Sequence, residues 1–278
     1  MEFLKRDEAP LTDSQWEEID KVVVETAKKT LVGRRFIEIT SSPNPAIQFV
    51  PYDTIDTGDE GACGLFGEED CEVVKIKDRK YLPMPILYKD FVLHWRDIEA
   101  AKSMGINLDL SIPAAAASSV AFSEDKLIFN GDPSIGYPGL INVAGRNTIQ
   151  MGDWNIPGQA FRNCVEAVEK LAENGYYSDV ALILNPKDYA VLHRVYENTG
   201  VLEITQIKEL FSAGVFISPA VPAKSAIAVA TGLENMDLFV SQDLITAYTE
   251  YTNMDHYFRV FESVALRIKR PQSICTIE

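Results

Sequence analysis

At 278 residues and 46% hydrophobic residues, the chain can bury one large core or two small ones. No apolar run approaches the roughly 20 residues that a membrane-spanning helix needs, and the longest, Ile112 to Ala117, is broken by Pro113. A net charge of −15 argues against a nucleic-acid binder, which needs clustered Lys and Arg to neutralise phosphate.

Met1-Glu-Phe-Leu-Lys-Arg-Asp-Glu8 lacks the charged-then-apolar layout of a secretory signal, so a cytoplasmic location is expected. Cys63, Cys71, Cys164 and Cys275 show neither zinc-ligand spacing nor a disulfide framework and read as reduced thiols. Cys63 and Cys71 share one loop and are the pair that oxidation would bridge.

Residues 10–33 read as one helix. Thr12 with Gln15 makes a capping-box pattern and Gly33 is the expected stop. Trp16, Ile19, Val23, Ala27 and Leu31 recur every three or four residues as one apolar stripe, which must pack on its own domain or on a partner. From Tyr52 to Val74 the chain carries Asp53, Asp56, Asp59, Glu60, Glu68, Glu69, Asp70 and Glu72 with no Lys or Arg, the pattern of a solvated loop. Its oxygens lack the regular alternation of a calcium loop.

The run Tyr88-Lys-Asp-Phe-Val-Leu-His-Trp-Arg-Asp-Ile-Glu99 is expected to be an amphipathic helix. A second long helix opens at Ser111 and Pro113, runs through small residues to Phe129 and closes at Gly131. The turn formers of Asp132 to Gly139 mark a boundary. Beyond it, Phe161–Asn174, Pro186–Glu197 and Ile204–Ala213 read as helices, and Val180–Leu184, Val215–Ser218 and Ala226–Ala230 as strands. From Tyr257 to Lys269, Phe258, Val260, Val264, Leu266 and Ile268 alternate with Arg259, Ser263, Arg267 and Lys269, a long half-buried strand.

Signs of catalysis are absent from the sequence. His94, His193 and His256 have no zinc spacing, no G-x-S-x-G elbow supports a serine triad, and phosphate and dinucleotide loops are missing. Glu124 and Asp125 point about 100° apart on a helix, which suits capping, salt bridging or subunit contact better than paired acid–base work. The Glu-x-x-His pairs of di-iron bundles are missing. No catalytic residue, metal site or cofactor is expected.

The Tyr88–Glu99 run, together with Gly33-Arg-Arg-Phe36, Glu124-Asp-Lys-Leu-Ile-Phe-Asn-Gly131 and Arg267-Ile-Lys-Arg-Pro-Gln-Ser-Ile-Cys275, resembles the encapsulin shell proteins, relatives of the tailed-phage major capsid protein. The resemblance runs in order through the whole chain. It implies an α+β fold of the Hong Kong 97 type: residues 1–47 an opening helix and first scaffold segment, 48–87 an extended hairpin loop, 88–136 scaffold with a spine helix, 137–231 an inserted axial α/β domain, and 232–278 the rest of the scaffold. It also implies an icosahedral homo-oligomer in the bacterial cytoplasm that encloses cargo bearing a short targeting peptide. Ferritin-like cargo for iron storage is the preferred reading, with a dye-decolorising peroxidase cargo, a viral capsid protein and, remotely, a hydrolase as alternatives. By the same resemblance, Leu31, Arg34, Glu38, Ile245, Ala247 and Tyr248 would hold the cargo peptide. The loop Glu197-Asn198-Thr199-Gly200-Val201-Leu202 would line a pore.

Overall fold

The computed structural model describes residues 2–42, 44–56, 61–67, 70–177, 179–196 and 200–278. Two 3₁₀ turns, Glu2–Leu4 and Arg6–Glu8, lead into α1 (Asp13–Thr30), β1 (Ile39–Ser41) and a hairpin of β2 (Phe49–Asp56) and β3 (Lys75–Pro83). Then come β4 (Ile86–His94), α2 (Trp95–Met104), α3 (Ser111–Asn130), and the short β5 (Gly131–Asp132) and β6 (Tyr137–Pro138). A second unit holds β7 (Asn147–Ile149), α4 (Gln159–Glu173), β8 (Val180–Leu184), α5 (Pro186–Val191), α6 (Glu203–Leu210), β9 (Gly214–Ile217) and β10 (Ala226–Ala230). The chain ends with β11 (Met236–Thr252), β12 (Asp255–Ile268) and β13 (Ile274–Ile277).

Two larger sheets carry most of the strands, with β2–β3 and β5–β6 as separate two-stranded pairs. The first has the order β1-β11-β12-β4, with β11 and β12 paired antiparallel from Met236↔Ile268 to Thr252↔Asp255. Its face is packed by α1 and α3: Trp16, Ile19 and Val23 meet Val120, Phe91, Phe258 and Val260. The opening stripe therefore packs within its own chain. The second sheet has the order β7-β13-β10-β8-β9. Its five-residue central strands β8 and β10 are wholly buried, as continuous apolar runs predict, and α4 and α6 cover them through Cys164, Ala167, Leu171 and Ile207. The chain's last strand, β13, lies between β7 and β10, so the end of the molecule returns to the unit that β7 begins. A third core, with Phe36, Ile128, Phe129, Ile183, Val229 and Leu266, joins the spine helix α3 to both sheets.

Three expectations change. The Tyr88–Glu99 run is not one helix: it is strand as far as His94 and helix only from Trp95. Phe91 and Leu93, two apart, are buried, and β4 pairs with β12 from Ser263↔Ile86 to Asp255↔His94. A run this short satisfies either period, and the open flank of β12 decides it. Pro186–Glu197 is helical only to Val191. Gly33 is not a left-handed helix stop: α1 ends at Thr30, and a Cβ at Gly33 would come within 2.5 Å of Ile128 Cδ1, so glycine is there to let the chain cross α3 closely.

The hairpin β2–β3 touches the main core through Val50, Leu82 and Tyr52, while the first seven residues of β3 are exposed. Between its strands, Leu65 and Phe66 are 96% and 85% exposed. Asp53 pairs with Arg79 at 2.7 Å. Asp59, Glu60, Glu68 and Glu69 of the acidic stretch lie outside the described residues.

Candidate binding groove at the end of the opening helix

After α1 the chain turns through Gly33–Arg35, and α3 fixes that turn. Asp125 accepts the backbone N–H of Val32 at 3.0 and 3.1 Å and that of Gly33 at 2.8 Å. Burial pushes its carboxyl up to about 6, against the opposing pull of those hydrogen bonds. The next residue, Arg34, is aimed at three carboxylates. Its Nε donates to Glu124 at 2.8 Å, its Nη2 to Glu124 at 2.6 Å and to Glu262 at 2.7 Å, and its Nη1 to Asp243 at 2.7 Å. Burial works against the guanidinium charge, but Glu124, Glu262 and Asp243 together raise its pKa.

One cation faces three anions, and two of the three are dry. Glu124 and Glu262 have side chains 0% and 1% exposed, while that of Asp243 is 72% exposed. Burial first, and then the Glu124 charge, raise the Glu262 carboxyl well above its ordinary range, against the opposing pull of the Arg34 charge. Its Oε1 has no hydrogen-bond partner among the described residues. The cluster thus joins α1 to α3, β11 and β12. Beside it lies a groove of about 410 Å3, lined by Arg34, Ile39, Ser41, Val240, Gln242 and Asp243.

Of the six residues expected to hold a peptide, Arg34 and Glu38 line two different clefts. Arg34 is in this groove but already engaged by the chain's own carboxylates. Glu38 is exposed and lines a different cleft of about 800 Å3, with Thr54, Lys77, Tyr176, Asn235 and Arg270. Leu31 is buried among Ala27, Ala121 and Leu244, which is plain core packing. Tyr248 packs with Trp16 and Phe258, with its hydroxyl 3.1 Å from His256 Nδ1. Ala247 is buried, and Ile245, half-buried, pairs across the sheet with Phe261. Of the pore loop, Glu197, Asn198 and Thr199 lie outside the described residues; Gly200 takes φ 71°, Val201 O accepts Tyr196 N–H at 2.8 Å, and Leu202 bridges to Val195.

Glu262, Asp243 and Arg6 did not emerge from the sequence as site residues. Glu262 had a signal, since it interrupts the apolar alternation Phe258, Val260, Val264, Leu266. Arg6 had none, because its contact with Thr246 joins residues 240 apart. Glu124 and Asp125 take the salt-bridging and capping roles that their helical spacing suggests. His94 pairs with Asp255 at 2.9 Å and His193 lies 3.1 Å from Tyr189 O. Cys63 and Cys71 are exposed free thiols; Cys164 and Cys275 are buried, which raises both, Cys275 to about 12. Among the described residues no three His, Cys, Asp or Glu side chains are placed to hold a metal ion, and no helix is long and apolar enough to cross a membrane.

A family model described as an encapsulating protein for peroxidase matches residues 1–265. The chain is 45% identical over 277 residues to the type 1 encapsulin shell protein EncA of Myxococcus xanthus, covering 100% of this chain and 96% of that one. It is 40% identical over 271 residues to the diheme-cytochrome-encapsulin shell fusion protein of Kuenenia stuttgartiensis, covering 98% and 74%. Among solved structures, the virus-like particle from Pyrococcus furiosus superposes with a TM-score of 0.78 at 22% identity, over 95% of this chain and 99% of that one. The capsid of the Myoviridae phage XM1 gives 0.64 at 14% identity, over 87% and 88%.

Proposed function

The chain belongs to the encapsulin shell-protein family, and from that premise we propose that it assembles with copies of itself into a closed compartment that encloses cargo protein. Its fold is the tailed-phage capsid fold of the Hong Kong 97 type. The observation that carries the reading is the hairpin β2–β3. Strand β3 leaves Ile76 and Tyr81 exposed, so the hairpin cannot bury itself on its own subunit and gains cover from a neighbour. In this reading the chain is a container whose own residues do no chemistry, and it works in the cytoplasm. In this reading residues 1–47, 48–87, 88–136, 137–231 and 232–278 are the assembly's working parts, and β13 joins the sheet of the inserted unit.

For cargo, a ferritin-like protein and a role in iron storage are the preferred reading. A relative from Pyrococcus furiosus is itself a ferritin-like-encapsulin shell fusion protein, 25% identical over 205 residues. A peroxidase cargo is the second reading, favoured by the family's description. Electron microscopy and light scattering of the purified protein test the shell: closed particles are expected, and a stable monomer at every concentration would defeat it. Mass spectrometry of protein enclosed in particles from the native host decides the cargo. Peroxidase without any ferritin-like protein would replace the iron reading.

A further inference from the structure

The four cysteines fall into two kinds. Cys164 and Cys275 are buried in the core of the second sheet, away from any oxidant in solvent. Cys63 and Cys71 are exposed and unbridged. Both lie beyond the last pair of the hairpin ladder, Asp56↔Lys75, where residues 61–67 and 70–74 are exposed throughout and belong to no helix or strand.

Nothing packed around these residues fixes the distance between the two thiols. A Cβ at Gly61 or Gly67 would meet no atom within 4 Å, and Gly67 takes φ 67°, a turn that glycine makes without strain. The segment from Cys63 to Cys71 is long enough to close on itself with its end Cα atoms roughly 4.4–6.8 Å apart, as a disulfide requires. Such a ring would enclose Leu65 and Phe66, the most exposed large apolar side chains among the described residues of the hairpin. Closure within one chain also outruns pairing between chains, because so short a tether gives each thiol an effective concentration of roughly mM at its partner. Asp70 and Glu72 flank Cys71. They repel an anionic oxidant such as glutathione disulfide and leave a neutral one, hydrogen peroxide, unhindered.

We propose that Cys63 and Cys71 are a reversible oxidation site, closed by hydrogen peroxide into a disulfide within one chain, which sets Leu65 and Phe66 as a rigid apex for docking on a neighbouring copy. One thiolate attacks the peroxide and breaks its O–O bond. The sulfur becomes a sulfenic acid, and the released hydroxide takes up the proton that the thiol had lost. The second thiol then attacks the sulfenic sulfur, forming the S–S bond and expelling a second water. Two electrons pass from the two sulfurs to the peroxide, and a dithiol reverses the change by exchange. Closure removes conformational freedom that docking would otherwise take from the loop, so the contact with the neighbour gains by preorganisation. The apex rests on the role between subunits proposed above for the hairpin, whereas the oxidation does not.

The test treats the full-length chain with hydrogen peroxide, quenches with catalase, alkylates the remaining thiols and digests at glutamate. Cleavage after Glu68 or Glu69 separates the two cysteines unless they are bridged. A single linked pair of peptides, lighter by two hydrogens and closed to alkylation, is expected. Two alkylated cysteines, sulfinic acid without a bridge, or a covalent dimer on a non-reducing gel overturns the site. For the apex, dissociation of purified particles in guanidinium chloride is followed by light scattering. Oxidation should shift the midpoint upward, dithiothreitol should return it, and Cys71→Ser particles should show no shift. Equal midpoints for oxidised and reduced wild type overturn the docking role. Failure of the shell reading shows separately, as the absence of closed particles from the chain in either state.

Discussion

Glu262 sits on the apolar face of β12, and its position there makes stability depend on pH. Burial and the Glu124 charge raise its carboxyl well above the ordinary range in the folded chain, whereas the unfolded side chain releases its proton near 4.5. Above about 4.5 the folded state holds on to a proton that the unfolded state releases, so the contribution of Glu262 to stability is full at low pH and is lost as pH rises. Asp125 has the same sign: burial lifts it from 3.8 to about 6, and its share is lost across that interval. Glu262→Gln keeps the shape and replaces the proton with an amide N–H. Its thermal midpoint relative to wild type should climb as pH rises above about 4.5, as the wild type pays for an increasingly unfavourable protonation. A flat difference would place the proton elsewhere. Arg34→Ala works oppositely, since it strands the buried Glu124; urea unfolding should show a loss of roughly 3–5 kcal/mol. Leu31 warns against a careless test of the groove. It is buried beside Ala27 and Ala121, so Leu31→Asp would damage the fold before it reported on any peptide.

At the scale of elements, the sequence was most legible where one signal acted alone. The capping box of Thr12 and Gln15 is present at the start of α1, and α3 runs from Ser111 to the glycine at 131. The wholly apolar runs of β8 and β10 are buried central strands. Where two periods fitted the same residues, as in Tyr88–Glu99, the outcome hung on a partner strand more than 160 residues away, which local spacing does not reveal. The binding groove was less legible still. Leu31 and Tyr248 have the apolar character of a docking surface and of a core alike, and only the packing of α1 on the sheet places them in the core. The glycines flanking β5 and β6 show a constraint that the turn pattern of residues 132–139 only hints at. A Cβ on Gly131 would lie 2.2 Å from Tyr137 O, and one on Gly139 would lie 2.3 Å from Gly131 N. Both neighbours are backbone and cannot step aside, and Gly131 also needs φ 67°. Gly131→Ala is therefore expected to cost several times the ~1 kcal/mol of a glycine replaced in open space, lowering soluble yield and thermal midpoint; a variant of wild-type stability would show that the end of α3 can unwind freely.

For the whole molecule, the decisive question is which surfaces are finished in one subunit. The second sheet is finished, with α4 and α6 over β8 and β10. The loop that follows Tyr196 is proposed to border an opening in the assembled wall, so shortening it at Asn198 and Thr199 should speed the entry of a small dye to an enclosed reporter. Unchanged entry would move the opening to another loop.

The hairpin is the unfinished part, and it allows folding to be separated from assembly. Val50, Leu82 and Tyr52 tie its base to the core, but Ile76 and Tyr81 along β3 and Leu65 and Phe66 beyond it face solvent. Burying apolar area contributes about 25 cal/mol per Å2, and here that gain is open only to a neighbouring copy. The acidic residues between the strands add a second condition. In a chain with net charge −15 they repel other acidic surface unless a neighbour's cations or added salt compensate, which steers the hairpin away from arbitrary contacts. A chain lacking residues 53–72 keeps Val50 and Leu82, so it should retain its circular dichroism spectrum and unfold cooperatively as a monomer or small oligomer. It should fail to form closed particles, or form particles of altered diameter, because each copy has lost what holds the next. Particles of normal size and stability, seen by microscopy and light scattering, would mean that subunits are joined by α2, α3 and the sheet edges alone and that the acidic stretch only decorates the surface.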